Sequence, residues 1–380
     1  MRFQEAYEGW HGGALTQSEA ACLLGVCERS FRRYLTRYEE AGMPGLLDLR
    51  LEQVSQRRAP VDEVLQLLER YRRGYAGWNV RHFHRWYSQE HQGQRSYTWV
   101  KNQLQAAGVV AKAPKRGVHR KRRERAPLPG MLLHQDGSTH AWVPGHKWDL
   151  IVTMDDATGE HYSMFLVDEE GTASSLRGVR EVIVRHGLFA SLYTDRGSHY
   201  WSTPTAGGKV DKTHLTQFGR ALGQLGIQMI PAYSPEARGR SERAFSTHQE
   251  RLPKELAKAG ITTLAGANRY LERRYRGAHN AEFAVPAAAT GTAFVPFLSG
   301  NLDDILCEQF ERTVGNDNCV HLDRVVLQIP ADRHRAHYVK ATVRVCRYGD
   351  GTITIFHGPR RLARYNAAGK ECKAKLKRAA

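Results

Sequence analysis

Two stretches decide the fold of this 380-residue chain: Leu192-Tyr193-Thr194-Asp195-Arg196-Gly197-Ser198-His199-Tyr200-Trp201, and Tyr233-Ser234-Pro235-Glu236-Ala237-Arg238-Gly239-Arg240-Ser241-Glu242-Arg243-Ala244-Phe245. Apolar Phe189 to Tyr193 reads as a strand ending at Asp195, and Leu225 to Ile230 as a second strand that stops at Pro231. The run from Pro235 to Phe245 opens a helix. One carboxylate therefore stands at a strand's C-terminal edge, and Glu242 stands on the first turn of a nearby helix. Oxygen ligands so placed suit hard divalent cations rather than metals that prefer thiolates or imidazoles.

Upstream, Met131 to Val143 reads as a strand with Asp136 in its middle, Trp148 to Met154 as a second and Tyr162 to Val167 as a third. Asp155-Asp156-Ala157-Thr158-Gly159 is a hairpin turn, so Asp155 and Asp156 are read as turn formers rather than as rival catalytic acids. Thr172 to His186 is amphipathic at helical spacing. Three antiparallel strands, a crossover helix, a parallel strand, another helix and strand, then the Glu242 helix: that order describes a ribonuclease H-like α/β core. Pro253 is expected to kink or end the Glu242 helix. Beyond it the chain reads as helical to about Arg276, and Ala284 to Ser299 as an Ala/Pro-rich connector. Alternation returns from Arg324, with Val339, Ala341, Val343 and Val345 on one face, and Gly349-Asp350-Gly351 turns into Thr352 to Phe356. These strands imply a small β-barrel, followed by a tail past Pro359 with eight Lys/Arg against Glu371.

At the other end, residues 14–42 carry a helix-turn-helix pattern. Thr16 and Glu19 are spaced as a capping box, Gly25-Val26 turns, and a second helix starts near Glu28. It shows Arg29, Arg32, Arg33 and Arg37 outward, with Phe31, Tyr34, Leu35 and Tyr38 at core spacing. Two ordinary packed helices would share the apolar spacing; a basic helix after a tight turn is what enters a major groove. A further helical unit follows from Val61. Its last helix is capped by Ser96, with Trp99, Val100, Leu104 and Ala107 inward and Lys101 outward. His82 and His84 sit among aromatics and read as packing residues. Lys115 to Arg125 holds seven Lys/Arg (Lys115, Arg116, Arg120, Lys121, Arg122, Arg123, Arg125) against Glu124, as a solvated linker or an arm that tracks phosphates.

Composition agrees. A net charge of +17 and pI near 9.7 favour a polyanionic partner, and a 41% hydrophobic fraction is enough for packed cores. No apolar run is long enough for a membrane span and no signal peptide opens the chain, so nucleic acid is the expected partner and a cytoplasmic, nucleoid-associated location follows. Six cysteines without a Cys-x-x-Cys pair read as reduced thiols.

Asp136, Asp195 and Glu242 are separated by 58 and 46 residues. Unpaired, three such acids would repel and raise one another's pKa. Two Mg²⁺ ions about 4 Å apart, with Mn²⁺ as a substitute, would neutralise them and hold the attacking and leaving oxygens of a phosphodiester in line. Arg196, His199, Arg238, Arg240 and Arg243 lie around them in sequence and suit scissile phosphates.

The motifs His134-Gln135-Asp136-Gly137-Ser138, Tyr193-Thr194-Asp195 and Ser234 to Arg243, with Phe218-Gly219-Arg220-Ala221-Leu222 and Leu225-Gly226-Ile227, resemble a DDE transposase of a bacterial insertion sequence, of the ISNCY-like group. The likeness extends more distantly to retroviral integrase cores. It implies that Asp136, Asp195 and Glu242 are the catalytic, metal-binding triad. It also implies binding to terminal inverted repeats, cleavage to 3′-hydroxyls, strand transfer into target DNA, and a homo-oligomer bridging two ends, with no membrane or small-molecule substrate. The interval from Asp195 to Glu242 is longer than in the integrases, and the polar Trp201 to Lys212 loop absorbs the excess.

The expected layout is a multidomain chain. Residues 1–58 form a helix-turn-helix DNA-binding domain, and 59–126 a second helical DNA-binding domain with the basic linker. Residues 127–272 form the catalytic core, 273–318 a helical connector, 319–360 the barrel and 361–380 the basic tail. A nuclease of the same fold that cleaves without joining, or a non-catalytic DNA-binding regulator, are the alternatives; the intact triad disfavours the regulator.

Overall fold

A computed structural model describes residues 2–48, 59–112, 123–205, 208–233, 235–298, 300–332 and 334–372, the side chains of 235–238 excepted. In chain order the helices are α1 (Arg2–His11), α2 (Gln17–Leu23), α3 (Glu28–Ala41), α4 (Val61–Gly74), α5 (Val80–Glu90) and α6 (Tyr97–Ala106). Then come β1 (Leu132–Val143), β2 (His146–Asp155), β3 (His161–Val167), α7 (Thr172–His186), β4 (Ser191–Thr194), α8 (Gln217–Gln224), β5 (Gln228–Pro231), α9 (Pro235–Lys258) and α10 (Leu264–Tyr270). The rest are α11 (Arg276–Phe283), α12 (Leu302–Ile305), β6 (Glu308–Thr313), β7 (Cys319–Leu322), β8 (Val325–Gln328), β9 (Thr342–Arg347), β10 (Ile353–His357) and β11 (Arg360–Tyr365). One turn of π-helix, Leu271–Tyr275, joins α10 to α11.

The chain forms two compact units. Residues 1–76 and 95–111 make the smaller, and 77–94 and 112–380 the larger, so the stretch 59–126 is divided between them. In the smaller unit, α1, α2 and α3 close on Ala6, Ala20, Ala21, Phe31 and Leu35. Thr16 and Glu19 cap α2 reciprocally, and Gly25 turns the chain at φ +68°. Ser96 caps α6 through Trp99 N, while Val100 and Leu104 point inward.

The larger unit is built on a five-stranded sheet of order β3-β2-β1-β4-β5. β1, β2 and β3 run antiparallel; β4 joins β1 in parallel and β5 joins β4 in parallel. This is the strand order and direction expected from the sequence. The sheet is covered on both faces, which is why β2 and β3 are buried along nearly their whole length. Leu133 and Leu192 on one face pack with Leu176, Val179 and Val182 of α7 and with Phe218 and Leu222 of α8. Trp148, Leu150, Val152 and Met154 on the other pack with Phe245, Leu252 and Leu256 of α9 and Leu271.

Of the two outcomes expected at Pro253, a kink or an end, the end does not occur: α9 continues through it to Lys258, with Leu252 and Leu256 on either side buried in the core. Two expectations are corrected. The C-terminal strands form a four-stranded antiparallel sheet, β11-β10-β9-β6, and a β7-β8 hairpin around one apolar cluster that includes Val320, Leu327, Val345, Ile355 and Tyr365. Among the described residues that sheet does not close into a barrel. The tail expected from 361 onward begins as β11, since Ala363 and Tyr365 are buried against that cluster. Gln217 of α8 ties the sheet to the core, donating to Gln309 O at 2.8 Å and accepting from Gln309 N at 2.8 Å.

His161 at the head of β3, His248 of α9 and His279 of α11 are buried together, with ring centroids 4.5–5.1 Å apart. Burial pushes the His161 imidazole down to about 4 and, with the neighbouring His161 and Arg251 charges, that of His279 to about 2; His248 lies well below its ordinary value, chiefly from burial. The folded chain therefore keeps them neutral, whereas the unfolded chain protonates them near pH 6.5. Stability is complete above that value and falls as the pH drops toward 4. Between pH 7 and 5 each histidine costs about 2 kcal/mol. Urea unfolding at the two pH values should show this loss; equal unfolding free energies would contradict it.

Candidate active site

The parallel pairing of β1 with β4 sets Leu132 against Ser191, Leu133 against Leu192 and His134 against Tyr193. Continued by two residues, this register brings Asp136 alongside Asp195 at the carboxyl end of β4, the edge where open α/β sheets place their ligands. Asp136 is 6% exposed, and its Oδ1 accepts from Gly137 N at 3.0 Å. Asp195 is half-buried, and its Oδ1 accepts from Gly197 N at 2.8 Å.

Behind them lies Tyr200, buried, with its hydroxyl 3.3 Å from Gln135 Oε1 and 3.4 Å from Glu170 Oε1, accepting from Ser175 Oγ at 3.2 Å. Burial first, and then the charges of Glu170, Asp136 and Asp195, raise its phenol well above the usual tyrosine range. Three carboxylates thus bear on one hydroxyl. Glu170 is an acid of this neighbourhood that the sequence reading does not name. It comes from the loop between β3 and α7 and enters because Gly137 has no side chain: a Cβ there would lie 2.1 Å from Glu170 Oε2. The one sequence signal is the acidic run Asp168-Glu169-Glu170 just ahead of α7.

Glu242 is exposed and is the eighth residue of α9 rather than part of its first turn. α9 lies on β1, with Gln249 Nε2 donating to Ser138 Oγ at 2.9 Å. Among the described residues no three acids bring carboxylate oxygens within 4.8 Å of one another, so Asp136, Asp195 and Glu242 do not converge to that distance.

Asp155 and Asp156 are fully buried and structural. Asp155 accepts from Gly130 N, Thr158 N and Thr158 Oγ1. Asp156 accepts from His134 Nε2 at 2.7 Å, Ala126 N at 2.7 Å, Arg123 and Arg240. Burial alone would raise its pKa; the hydrogen bonds from His134, Ala126 and Arg240 overcome that and hold it below the usual carboxylate range. Arg123 and Arg240, expected to face DNA, are thus paired here. Arg196 donates to Gly208 O at 2.9 Å. Arg243 is exposed, as are Arg29, Arg32, Arg33 and Arg37 along α3, and Lys101 is half-exposed on α6. Lys115, Arg116, Arg120, Lys121 and Arg122 lie outside the described residues, and the side chain of Arg238 lies outside the described side chains. His82 bonds buried Glu255 at 2.7 Å, a packing role. No described helix is long and apolar enough to cross a membrane.

No family model matches the chain. Over 358 residues, 90% of this chain and 75% of the relative, it is 27% identical to a Sinorhizobium fredii protein named "Putative transposase y4bF". Over 149 residues, 39% of this chain and 32% of the relative, it is 32% identical to the transposase for insertion sequence IS1202 of Streptococcus pneumoniae. Among solved structures it is similar to a chain of the simian T-cell lymphotropic virus intasome in complex with PP2A regulatory subunit B56 gamma, at 16% identity and a TM-score of 0.34, covering 75% of this chain and 93% of that one. It is also similar to the HTLV-2 integrase catalytic core domain in complex with magnesium, at 18% identity and a TM-score of 0.31, covering 39% and 87%.

Gly137→Ala should push the Glu170 carboxylate off its position at little cost, less than about 1 kcal/mol in urea unfolding, because that carboxylate is the far end of a flexible, partly exposed side chain. A loss of more than about 2 kcal/mol would show that Glu170 cannot yield there.

Proposed function

We propose that this chain, a relative of bacterial insertion-sequence transposases, is a DDE DNA transposase with a ribonuclease H-like core. In this reading it binds the terminal inverted repeats of its element, cleaves the ends to 3′-hydroxyls and transfers them into target DNA. The observation that carries the reading is the β1–β4 register, which draws Asp136 and Asp195 from distant segments to one sheet edge beneath the helix that bears Glu242.

The donor set fits a hard cation: carboxylate oxygens, no sulfur, and an oxygen-rich neighbourhood that includes Glu170 and Tyr200. Asp136, Asp195 and Glu242 would hold two Mg²⁺ ions, with Mn²⁺ as a substitute, and these supply Lewis acidity and an activated oxygen nucleophile. The protein's own part is positioning. Gly137 N and Gly197 N fix the two aspartates, and the Asp156 cluster fixes α9 two residues before Glu242. Exposed Arg243 is placed to meet a phosphate. Arg29, Arg32, Arg33 and Arg37 line the solvent face of α3, the face a recognition helix of a helix-turn-helix presents to the major groove. The basic stretch from Lys115 to Arg125 tracks phosphates, and two chains or more bridge the element's ends.

Asp136→Asn, Asp195→Asn and Glu242→Gln should each lower 3′-end cleavage and joining of pre-cut ends by on the order of 10³-fold or more, since each loses a metal-binding charge worth several kcal/mol in the transition state. Binding of terminal-repeat DNA by the full chain should survive. A variant that still joins pre-cut ends removes that residue from the triad, and a wild-type chain that cleaves but never joins is a nuclease.

Repeat binding by the full chain should weaken steeply with salt. Arg32→Ala and Arg33→Ala should each lessen the slope of log affinity against log salt by about 1 if they meet phosphates, or relax preference for the repeat if they meet bases. Equal affinity of the wild-type chain for repeat and random duplexes would refute specific reading by α3.

A further inference from the structure

Away from the acids, the larger unit encloses a cluster of different chemistry. Among the described residues, His161, His248 and His279 are the one set of three or more His, Cys, Asp or Glu side chains whose ligand atoms all lie within 4.8 Å of one another. All three are buried. They come from three elements that meet only in the fold: the first residue of β3, the middle of α9 and the middle of α11.

The outer contacts of His161 and His248 are those of metal-binding imidazoles. His161 Nδ1 donates to Gly159 O at 3.1 Å, which leaves Nε2 as the bare lone pair. That Nε2 faces His248 Nε2 at 3.0 Å, and the far nitrogen of His248, Nδ1, is 3.1 Å from the Tyr275 hydroxyl. When His248 Nδ1 donates to Tyr275, two lone pairs point at each other and need a cation between them. When Tyr275 donates instead, His248 Nε2–H closes a hydrogen bond to His161. Zinc takes imidazole nitrogen at about 2.0–2.1 Å, so tetrahedral ligand nitrogens sit about 3.3 Å apart, within a small ring rotation of the 3.0 Å seen. The backbone is held for it as well: Asn280, next to His279, accepts from His161 N at 2.9 Å and donates to His161 O at 3.0 Å.

We propose that His161, His248 and His279 form a buried structural site that holds one Zn²⁺ ion through three imidazole nitrogens, the fourth tetrahedral position falling to a water, and so pins α9 and α11 to the edge strand β3. Neutral imidazole is the ligating form, and burial keeps all three rings neutral in the folded chain. Arg251 and Arg276, the cations nearest the rings, are engaged by Glu282 and by Tyr162 O. Three nitrogens select a borderline metal and not the hard cation suited to the carboxylates.

The test uses the full-length chain, purified without chelator. Elemental analysis should find about one zinc per chain, and the thermal midpoint should fall on removing zinc and recover on adding it back. Co²⁺ in its place should give visible ligand-field bands with no sulfur-to-cobalt charge transfer. His248→Gln and His279→Gln should weaken zinc binding by more than about 100-fold. A chain that retains no zinc and whose midpoint moves with neither Zn²⁺ nor Co²⁺ overturns the proposal and leaves the hydrogen-bonded tautomer in place. A thiolate charge-transfer band, or full zinc content in both variants, overturns it too. If the variants do not fold, the cobalt spectrum of the unaltered chain decides.

Discussion

A carboxylate sealed from water is tolerated only when hydrogen bonds replace its hydration, and Asp156 is sealed completely. Its four partners come from three places: His134 on β1, Ala126 and Arg123 just before the sheet, and Arg240 on α9. His134 and Arg240 are the more buried of the side-chain partners, and replacing either weakens the compensation of a charge held in the interior. The cluster therefore sets the position of α9 along β1, with the Gln249–Ser138 hydrogen bond nine residues on as a second pin. The placement of Glu242 follows from this arrangement, since its own side chain is exposed.

What the sequence disclosed follows from the range of each signal. The α2 cap, the Ser96 cap and the span Thr172–His186 rest on contacts within a few residues, and all are as read. The sheet order was legible because period-two apolar runs and a single crossover helix leave few topologies. Pro253 does not end α9, where the buried Leu252 and Leu256 hold the helix on the core. Glu170 was invisible in the sequence. Its relation to Gly137 and Tyr200 crosses more than thirty positions of chain in one direction and thirty in the other, and nothing local marks it. Asp155 and Asp156 were rightly read as turn residues, yet the turn's burial, and with it the recruitment of Arg123 and Arg240, appears only in three dimensions. Arg360 to Tyr365 read as tail because four of its six positions are Arg or Ala, residues poor in strand signal, until Tyr365 is seen filling the C-terminal cluster.

The two chemistries of the larger unit share a scaffold. α9 is about 36 Å long. Near its start it offers a carboxylate to solvent, and six residues on it commits an imidazole to the dry interior. Oxygen donors at a wet edge and nitrogen donors in a sealed core ask for different cations, so these two positions on the helix do not compete for the same ion.

The chain's path between its two units carries a consequence for how such proteins exchange parts. It passes from the smaller unit to the larger after Ala76, returns at Arg95, and leaves again after Ala111. The excursion is α5, whose His82 and Arg85 bond Glu255 and whose Trp86 lies under Lys258 and Arg274. Replacing residues 1–111 as one block would remove α5 from Glu255 and uncover what it packs on. An exchange of the smaller unit that leaves the larger whole must therefore break the chain at three joints.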